Sequence, residues 1–599
     1  MEDPLVSPAQ QVWNIVWAAL FAFWTAHMVT GGLLRFPTDW DTLMYHLPFV
    51  NHWLQAGSLY ASGGMRWSDP GNNELITLWI VAPFSGDFLC TLTNLPATIL
   101  LGCAAVELGR QLGLSVHFRH IAGLAVVSNF VVLKQLIDVE NDVAVAALFL
   151  SCLSFVLRYV KCGGAEELIL GAICFGLLAG VKFYALGYAA VVATTAVLLV
   201  AKEAGARSAG RVTAWGLAGF ALFGAYWYAR NWIADGSPVF PAWAPAASDD
   251  LGQSHPTFWQ TTFIGNGRPE LFRLAIEAVW SMTGPYHLAA LLSLPVTLPW
   301  LVISGFRQIK HPARSREAAA RFGLFFAAIA SGLVLLITPF AVEDVPGTLN
   351  QMRWKYCPVR YGLCFLSLLV IALSLVMSDI FHNLQLVLGR LGERGLPFTK
   401  FFVNLPFALL GAAELAQVYG LSNPESQASY IDNVFIAVDV LLVGWVVFLV
   451  ARSRFQLTVV FVLSLAAIGG VASAGHQLSE RWHQGFAAHY DEMLANGLFM
   501  HLRATQPCGS RICVLDLRPY PFFGSARQFR VCQPPHIRSE QWFRTYLHSQ
   551  KITIVVARLG QDLPLHWMNG QPLLRSDDRR RRLVREGFWV YTVAYVDSD

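Results

Sequence analysis

Charge is what this 599-residue chain has least of: only 14% of its residues are Asp, Glu, Lys or Arg, against about a quarter in soluble globular domains. That scarcity excludes an ordinary soluble protein. The net charge is small as well, +4, and the basic residues fall mostly in short loops between apolar runs, so nucleic-acid binding is set aside. No CxxC pair occurs among the ten cysteines, which removes the usual zinc and redox readings. The opening stretch MEDPLVSPAQQ has no basic n-region and the apolar run after it is long. It reads as a retained first span and not as a cleaved signal. No internal repeat or low-complexity segment stands out.

What the chain does have is apolar and aromatic residues: 55% are hydrophobic, with 20 Trp and 40 Phe. Runs such as Phe183 to Ala201 and Tyr361 to Met377 suit a chain that lies mostly in lipid. At about 20 residues per crossing, about 13 spans are predicted, over 12–31, 90–109, 118–136, 142–160, 166–181, 184–201, 212–229, 287–305, 322–340, 361–380, 401–419, 433–451 and 457–474. Residues 75–89 form either a further span or an interfacial helix. Positive short loops stay cytoplasmic. Arg110 and Arg119, Arg158 and Lys161, Lys202 with Arg207 and Arg211, Arg307 to Arg321, Arg390 to Lys400, and Arg452 with Arg454 occupy alternate loops of this scheme. The other side then carries residues 32–89, the turns near Asp138 and Lys182, the loops 230–286, 341–360 and 420–432, and everything after 475. The expected fold class is an all-α polytopic membrane bundle, residues 1–475.

Beyond residue 475 the composition changes. Pro-rich turns separate β-like runs at Ile512 to Leu517, Ile552 to Ala557 and Phe588 to Val596, predicting a small extracytoplasmic α/β domain over 476–599. In an oxidising compartment one disulfide within Cys508, Cys513 and Cys532 is expected. The basic run Arg579 to Arg582 reads as a solvated helix face.

Long, chemically mixed loops carry function, and here these are the outer ones. On a helix starting near Thr38 or Asp39, Asp41, Tyr45 and His52 recur at spacings of four and seven, with an acid at the helix N-terminus. Capping of an interfacial amphipathic helix explains the same residues. A second acidic cluster, Asp138, Glu140 and Asp142 with Asn141, lies where the chain re-enters the membrane, and charge at such depth must be paired or wet. Ordinary turn chemistry is the competing reading. Two acidic sites on one side suit a general base or a cation. Lys182 and Arg230 end two further spans on that side, and Arg353, Lys355 and Arg360 break the positive-inside pattern. Permanent cations are what a membrane-embedded phosphate needs.

The pieces WDTLMYHLPFVNHWLQ (40–55), ENDVAVA (140–146), GLLAGVKFYAL (176–186), YARNWIADGSPVFP (228–241) and the pair Arg360-Tyr361 resemble, in order and spacing, the bacterial GT-C glycosyltransferases. The likeness is to the branch related to protein O-mannosyltransferases and the lipid A aminoarabinose transferase, and it covers most of residues 1–480. The resemblance implies a membrane enzyme that moves a sugar from a polyprenyl-phosphate donor to an outer acceptor: a glycan, lipid or protein. It implies Asp41, or its neighbour Asp39, as catalytic base, with Asp142 as second acid and Glu140 in its place otherwise. Lys182 and Arg230 would engage lipid phosphate; Tyr45, His46, Asn231, Arg360 and Tyr361 complete the expected substrate contacts. Many relatives carry an adjacent Asp-Glu pair in the first loop, whereas this chain has Asp39-Trp40-Asp41. That departure leaves open which residue is the base and whether a divalent cation takes part; no other cofactor is implied. A transporter or lipid-linked-sugar flippase is the alternative class.

Overall fold

In lipid an apolar run has no water to satisfy its backbone, so it closes its hydrogen bonds internally as a helix. The computed structural model describes residues 8–61, 66–239, 283–309, 315–339, 357–389, 475–495, 498–515, 517–534, 539–558 and 588–592, with single positions at 64 and between 262 and 279. It is mostly helical. Among the described residues six helices are long and apolar enough to cross a membrane: Gln11–Leu33, Cys90–Gln111, Asp142–Cys162, Ala185–Ala204, Glu317–Ile337 and Leu363–Asn383. The chain is an integral membrane protein.

Two more predicted spans are bent pairs, Val116–Val127 with Phe130–Leu136 at 62° and Pro285–Leu292 with Leu294–Phe306 at 67°. Asn129 makes the first break by capping the second helix, its side chain accepting from the Val131 N–H at 2.8 Å. Pro295 accounts for the second, since proline cannot continue the helix that precedes it. The expected spans 166–181 and 212–229 differ from the structure: the first is the 15-residue helix Ala165–Ala179, and the second is divided at Gly224 between Ala206–Phe223 and Ala225–Asp235. The first two of these helices meet through small residues. A Cβ on Gly176 would lie 2.0 Å from the Gly219 carbonyl oxygen, so only glycine permits that approach. The predicted spans 401–419, 433–451 and 457–474 lie outside the described residues.

Helix α1 (Pro8–His27) leads through a π-helical turn, Met28–Leu33, to an extended stretch at 36–39. A second π-helical turn, Thr42–His46, runs into α2 (Leu47–Ala56), which ends at Gly57 with φ 62°, a conformation natural only to glycine. Helix α3 (Asn72–Val81) follows. The π register adds a residue to the turn and alters the expected four-and-seven phasing. Tyr45 joins Met44, Phe49, Trp53 and Trp227, while His52 packs edge-on against Phe523, 5.1 Å between ring centroids.

After residue 475 the helix Gly475–Tyr490 precedes a four-stranded sheet of β1 (Arg511–Leu515), β2 (Arg530–Cys532), β3 (Ile554–Arg558) and β4 (Phe588–Thr592), in the order β2-β1-β3-β4. Strands β2, β1 and β3 are parallel; β4 is antiparallel to β3. Parallel pairing needs a crossover, supplied between β2 and β3 by helix Glu540–Ser549, capped by Ser539. Strand β2 is too short to show in the sequence. Cys508, Cys513 and Cys532 are free thiols, although Cys513 and Cys532 are register partners on β1 and β2. The expected disulfide is therefore absent from this arrangement. One apolar core joins this region to the segment 43–88: Leu43, Leu47, Val50, Val81 and Phe88 pack with Trp482, Phe486, Tyr490, Tyr520 and Phe523. The basic run 579–582 lies outside the described residues.

Candidate active site

Three carboxylates from two chain segments meet on one guanidinium. Arg360, on the short helix Cys357–Tyr361, donates through Nη2 to Asp41 Oδ2 at 2.6 Å, through Nη1 to Glu140 Oε1 at 2.8 Å and through Nε to Asp142 Oδ2 at 2.8 Å. All four groups are buried. Asp142 opens the helix Asp142–Cys162, where a carboxylate also faces the positive end of the helix dipole. Its other oxygen accepts from Lys182 Nζ at 3.2 Å and from the Tyr184 hydroxyl at 2.7 Å. The Lys182 ammonium lies 5.4 Å from the Tyr361 ring centroid and 5.6 Å from that of Tyr184.

The turn that presents these acids is fixed from behind. Gln135 donates to Glu140 at 2.9 Å and to Asp142 at 2.8 Å, while its own oxygen accepts from the Val143 N–H. Asn94 donates to the carbonyls of Gln135, Asp138 and Glu140. With the carbonyls of Gln135, Asp138 and Glu140 held by one side chain, the turn has little freedom to relax.

Two cations cannot neutralise three carboxylates, and the electrostatics divide accordingly. Burial alone would raise the Asp41 carboxyl, but Arg360, Lys182 and His46 outweigh it and hold Asp41 well below the usual carboxylate range. Burial wins at Glu140 and pushes it up, despite Arg360. Asp39 belongs to a neighbouring set, bonded to Lys134 at 2.6 Å and facing Asp138, which also takes the Thr42 hydroxyl and the Val139 N–H. Burial, then the Asp39 charge, drives Asp138 well above the ordinary range; Asp39 is lowered, because Asp138 and Lys134 together overcome its burial.

Tyr45 and His46 line the same turn. The Arg66 guanidinium lies 5.1 Å from the Tyr45 ring centroid and 3.7 Å from the Asp69 carboxylate. His46 Nδ1 and Glu74 Oε1 are 2.5 Å apart, both side chains buried, and Asn141 donates to the same Glu74 oxygen at 3.2 Å. Arg230 and Asn231 sit elsewhere. Arg230 stacks near Trp67 and Trp227, 5.2 and 5.0 Å from their ring centroids, and donates to the Asp69 carbonyl, while Asn231 donates to the Ser68 carbonyl at 2.7 Å. Burial lowers the Arg230 guanidinium to about 10.

The structure therefore gathers Asp41, Glu140, Asp142, Lys182, Arg360 and Tyr361, keeps Asp39 one step away, and sets Arg230 and Asn231 to holding the 66–69 turn. Sequence reasoning missed Arg66, Glu74, Gln135 and Tyr184. Glu74 left a signal, as a lone acid in the apolar helix NNELITLWIV; Gln135 left none. Arg353 and Lys355 lie outside the described residues. Among the described residues no group of three or more His, Cys, Asp or Glu side chains is arranged to hold a metal ion. The carboxylates that meet are each bonded to Arg360, so this donor set does not fit a divalent cation. An apolar cavity of about 150 Å³, lined by Cys152, Phe155, Tyr159, Ala172 and Val197, lies away from the carboxylates.

No protein-family model matches the chain, and no curated protein matches it. Solved structures do, among them two of one protein. ArnT from Cupriavidus metallidurans bound to undecaprenyl phosphate is 13% identical, with a TM-score of 0.51 over 99% of each chain. The apo state of the same protein is 15% identical, with a TM-score of 0.50 over 97% of this chain and 98% of that one. At such identity the shared property is the fold.

Proposed function

We propose, from the premise that this integral membrane chain has the GT-C fold, that it is a glycosyltransferase that moves a sugar from a polyprenyl-phosphate donor to an acceptor hydroxyl outside the cytoplasm, with inversion. One observation carries the reading: a buried Asp41 shares Arg360 with Glu140 and Asp142, beside Lys182, at one end of the membrane helices. The similar fold of ArnT, crystallised with undecaprenyl phosphate, supports the donor class.

The chemistry follows from charge. A polyprenyl phosphate leaves the anomeric carbon with its negative charge increased by one, and the acceptor hydroxyl must lose a proton as the new C–O bond forms. Lys182 and Arg360 supply the cations for the departing phosphate, in a buried site where such contacts count for more than in water. Asp41 takes the acceptor's proton. In the arrangement with Arg360 it is a weak base, since its proton affinity is depressed. A donor phosphate that competes for Arg360 weakens that pairing and raises the basicity of Asp41 when the acceptor must be deprotonated. A single displacement with no enzyme-bound sugar gives inversion. In this reading the cation of the site is Arg360, and no step runs through a metal.

Orientation enters the same proposal. The charged residues of the six spans fall near helix ends. Asp142 stands at the candidate site, whereas Arg110, Arg158, Lys161, Lys202 and Arg321 collect at the opposite ends. By the positive-inside rule those ends face the cytoplasm, which puts the site and the region after 475 outside. A transport pathway would need charge at mid-span, and the described spans carry it at their ends. Purified protein in detergent, offered radiolabelled polyprenyl-phosphate sugars with cell-envelope extract as acceptor, is expected to transfer label, and Asp41→Ala is expected not to. Absence of transfer by the wild type over a broad donor panel would remove the proposal.

A further inference from the structure

The residues just before Asp41 have no regular secondary structure of their own, and they are held by the region after residue 475. The Phe36 ring lies 4.8 Å from that of Trp482 and 4.9 Å from that of His489. The Tyr490 hydroxyl, fully buried, donates to the Pro37 carbonyl at 2.9 Å, and Arg518 Nη1 donates to the Thr38 carbonyl at 3.3 Å. These carbonyls are four and three residues from Asp41, in a stretch where no helix or strand partner satisfies them.

The other side of Asp41 is held as firmly. Arg527 Nε donates to Asn51 Oδ1 on α2 at 3.0 Å, and its guanidinium reaches the Asp87 carboxylate, the Phe84 carbonyl at 2.9 Å and the Val81 carbonyl at 3.3 Å. Tyr520 donates to the same Asp87 at 2.9 Å, and Gln55 on α2 donates back to the Phe529 carbonyl at 2.6 Å. Arg527 has φ 55°, in the left-handed region. A non-glycine residue stays there only when its surroundings over-determine it, and strain so held is common at functional places.

We propose that the segment 482–529 is a positioning clamp for Asp41, with Tyr490, Arg518 and Arg527 as positioning residues that act through it. The inference rests on the reading of Asp41 as the base. A base must sit within a fraction of an ångström of its working position, and the π-helical turn that carries Asp41 is bordered by a free-running stretch before it and a short helix after it. The clamp fixes both borders and leaves the phosphate-side groups, Lys182 and Arg360, to their own elements.

The test uses full-length Tyr490→Phe, which removes one bond at nearly constant volume, and the partly exposed contact Arg518→Ala, each read by hydrogen exchange and by transfer kinetics. Exchange at 36–47 is expected to rise about ten-fold or more while the helix Asp142–Cys162 stays protected. The turnover number is expected to fall by roughly ten- to a hundred-fold, with affinity for polyprenyl phosphate held within about two-fold. Arg527→Lys should retain more turnover than Arg527→Ala. Unchanged exchange at 36–47, or raised exchange with wild-type turnover, overturns the clamp, as does a loss of donor affinity that accounts for the whole rate effect. Raised exchange in a protein whose wild type transfers no sugar would leave the clamp standing and remove the assigned activity.

Discussion

Replacing Asp41 by Asn tests the electrostatics of the site with almost no change of shape. The amide oxygen can still accept from Arg360 Nη2, so an ion-paired bond becomes one from a cation to a neutral acceptor, at a loss of about 1 kcal/mol. Three carboxylates against two cations also become two against two, which offsets that loss, and the folded protein should unfold within a few degrees of wild type. Catalysis behaves differently. Loss of a general base costs about 10²- to 10⁴-fold. Donor binding should move in the opposite direction, because a negative charge beside the phosphate has gone. At about 5–7 Å and an effective dielectric of about 20, Coulomb's law gives roughly 2–3 kcal/mol as an upper bound. A gain of about ten-fold in affinity for polyprenyl phosphate is therefore expected even after screening. Isothermal titration of the detergent-solubilised protein and a single-turnover transfer assay read the two effects separately. Transfer near the wild-type rate refutes Asp41 as base; donor affinity that falls refutes its placement beside the phosphate.

Further expectations concern the groups around it. Arg360→Lys offers one point charge where three carboxylates now share a fork, so both transfer and melting temperature should drop, and a variant with wild-type values of both would dismiss the shared-guanidinium account. The Asp41 pairing stabilises the fold fully above the unfolded Asp value of about 3.9 and is lost only as pH falls below it; hence Asp41→Asn should leave the pH dependence of the melting temperature unchanged between about pH 5 and 8. Asp138 has the opposite sign, since burial and Asp39 raise it: its proton favours the folded state at low pH and that contribution declines as pH rises. Asp138→Asn should thus gain stability relative to wild type as pH increases, in melts taken across that range. Arg321, which grips Asp379 through two bonds beside Trp300, lies at the far end of the bundle. Arg321→Ala should destabilise by about 3–5 kcal/mol if the pair behaves as buried, less where solvent reaches Asp379, with transfer per folded molecule unchanged.

The sequence by itself determined the solvent and most of the architecture. Too little charge and runs of about twenty apolar residues leave helices in lipid as the physical outcome, and Asp142 and Lys182 stand out because charge at such places needs partners. Strands β1, β3 and β4 were legible from short β-branched and aromatic runs between turns. The rest depended on contacts between distant segments. Arg360 lies 319 positions from Asp41 along the chain, and nothing in the spacing of either says that one guanidinium serves three carboxylates. Arg230 looked equivalent to Lys182, yet the turn at 66–69 folds over it and gives it to Trp67 and Trp227. The π-helical turn at Thr42–His46 departs from the even α-helical period on which face arguments rest, so Tyr45 and His52 part company. Only the tertiary structure brings Tyr490 and Arg527 to the two sides of Asp41, because hydrogen bonds to backbone carbonyls leave no side-chain pattern to read.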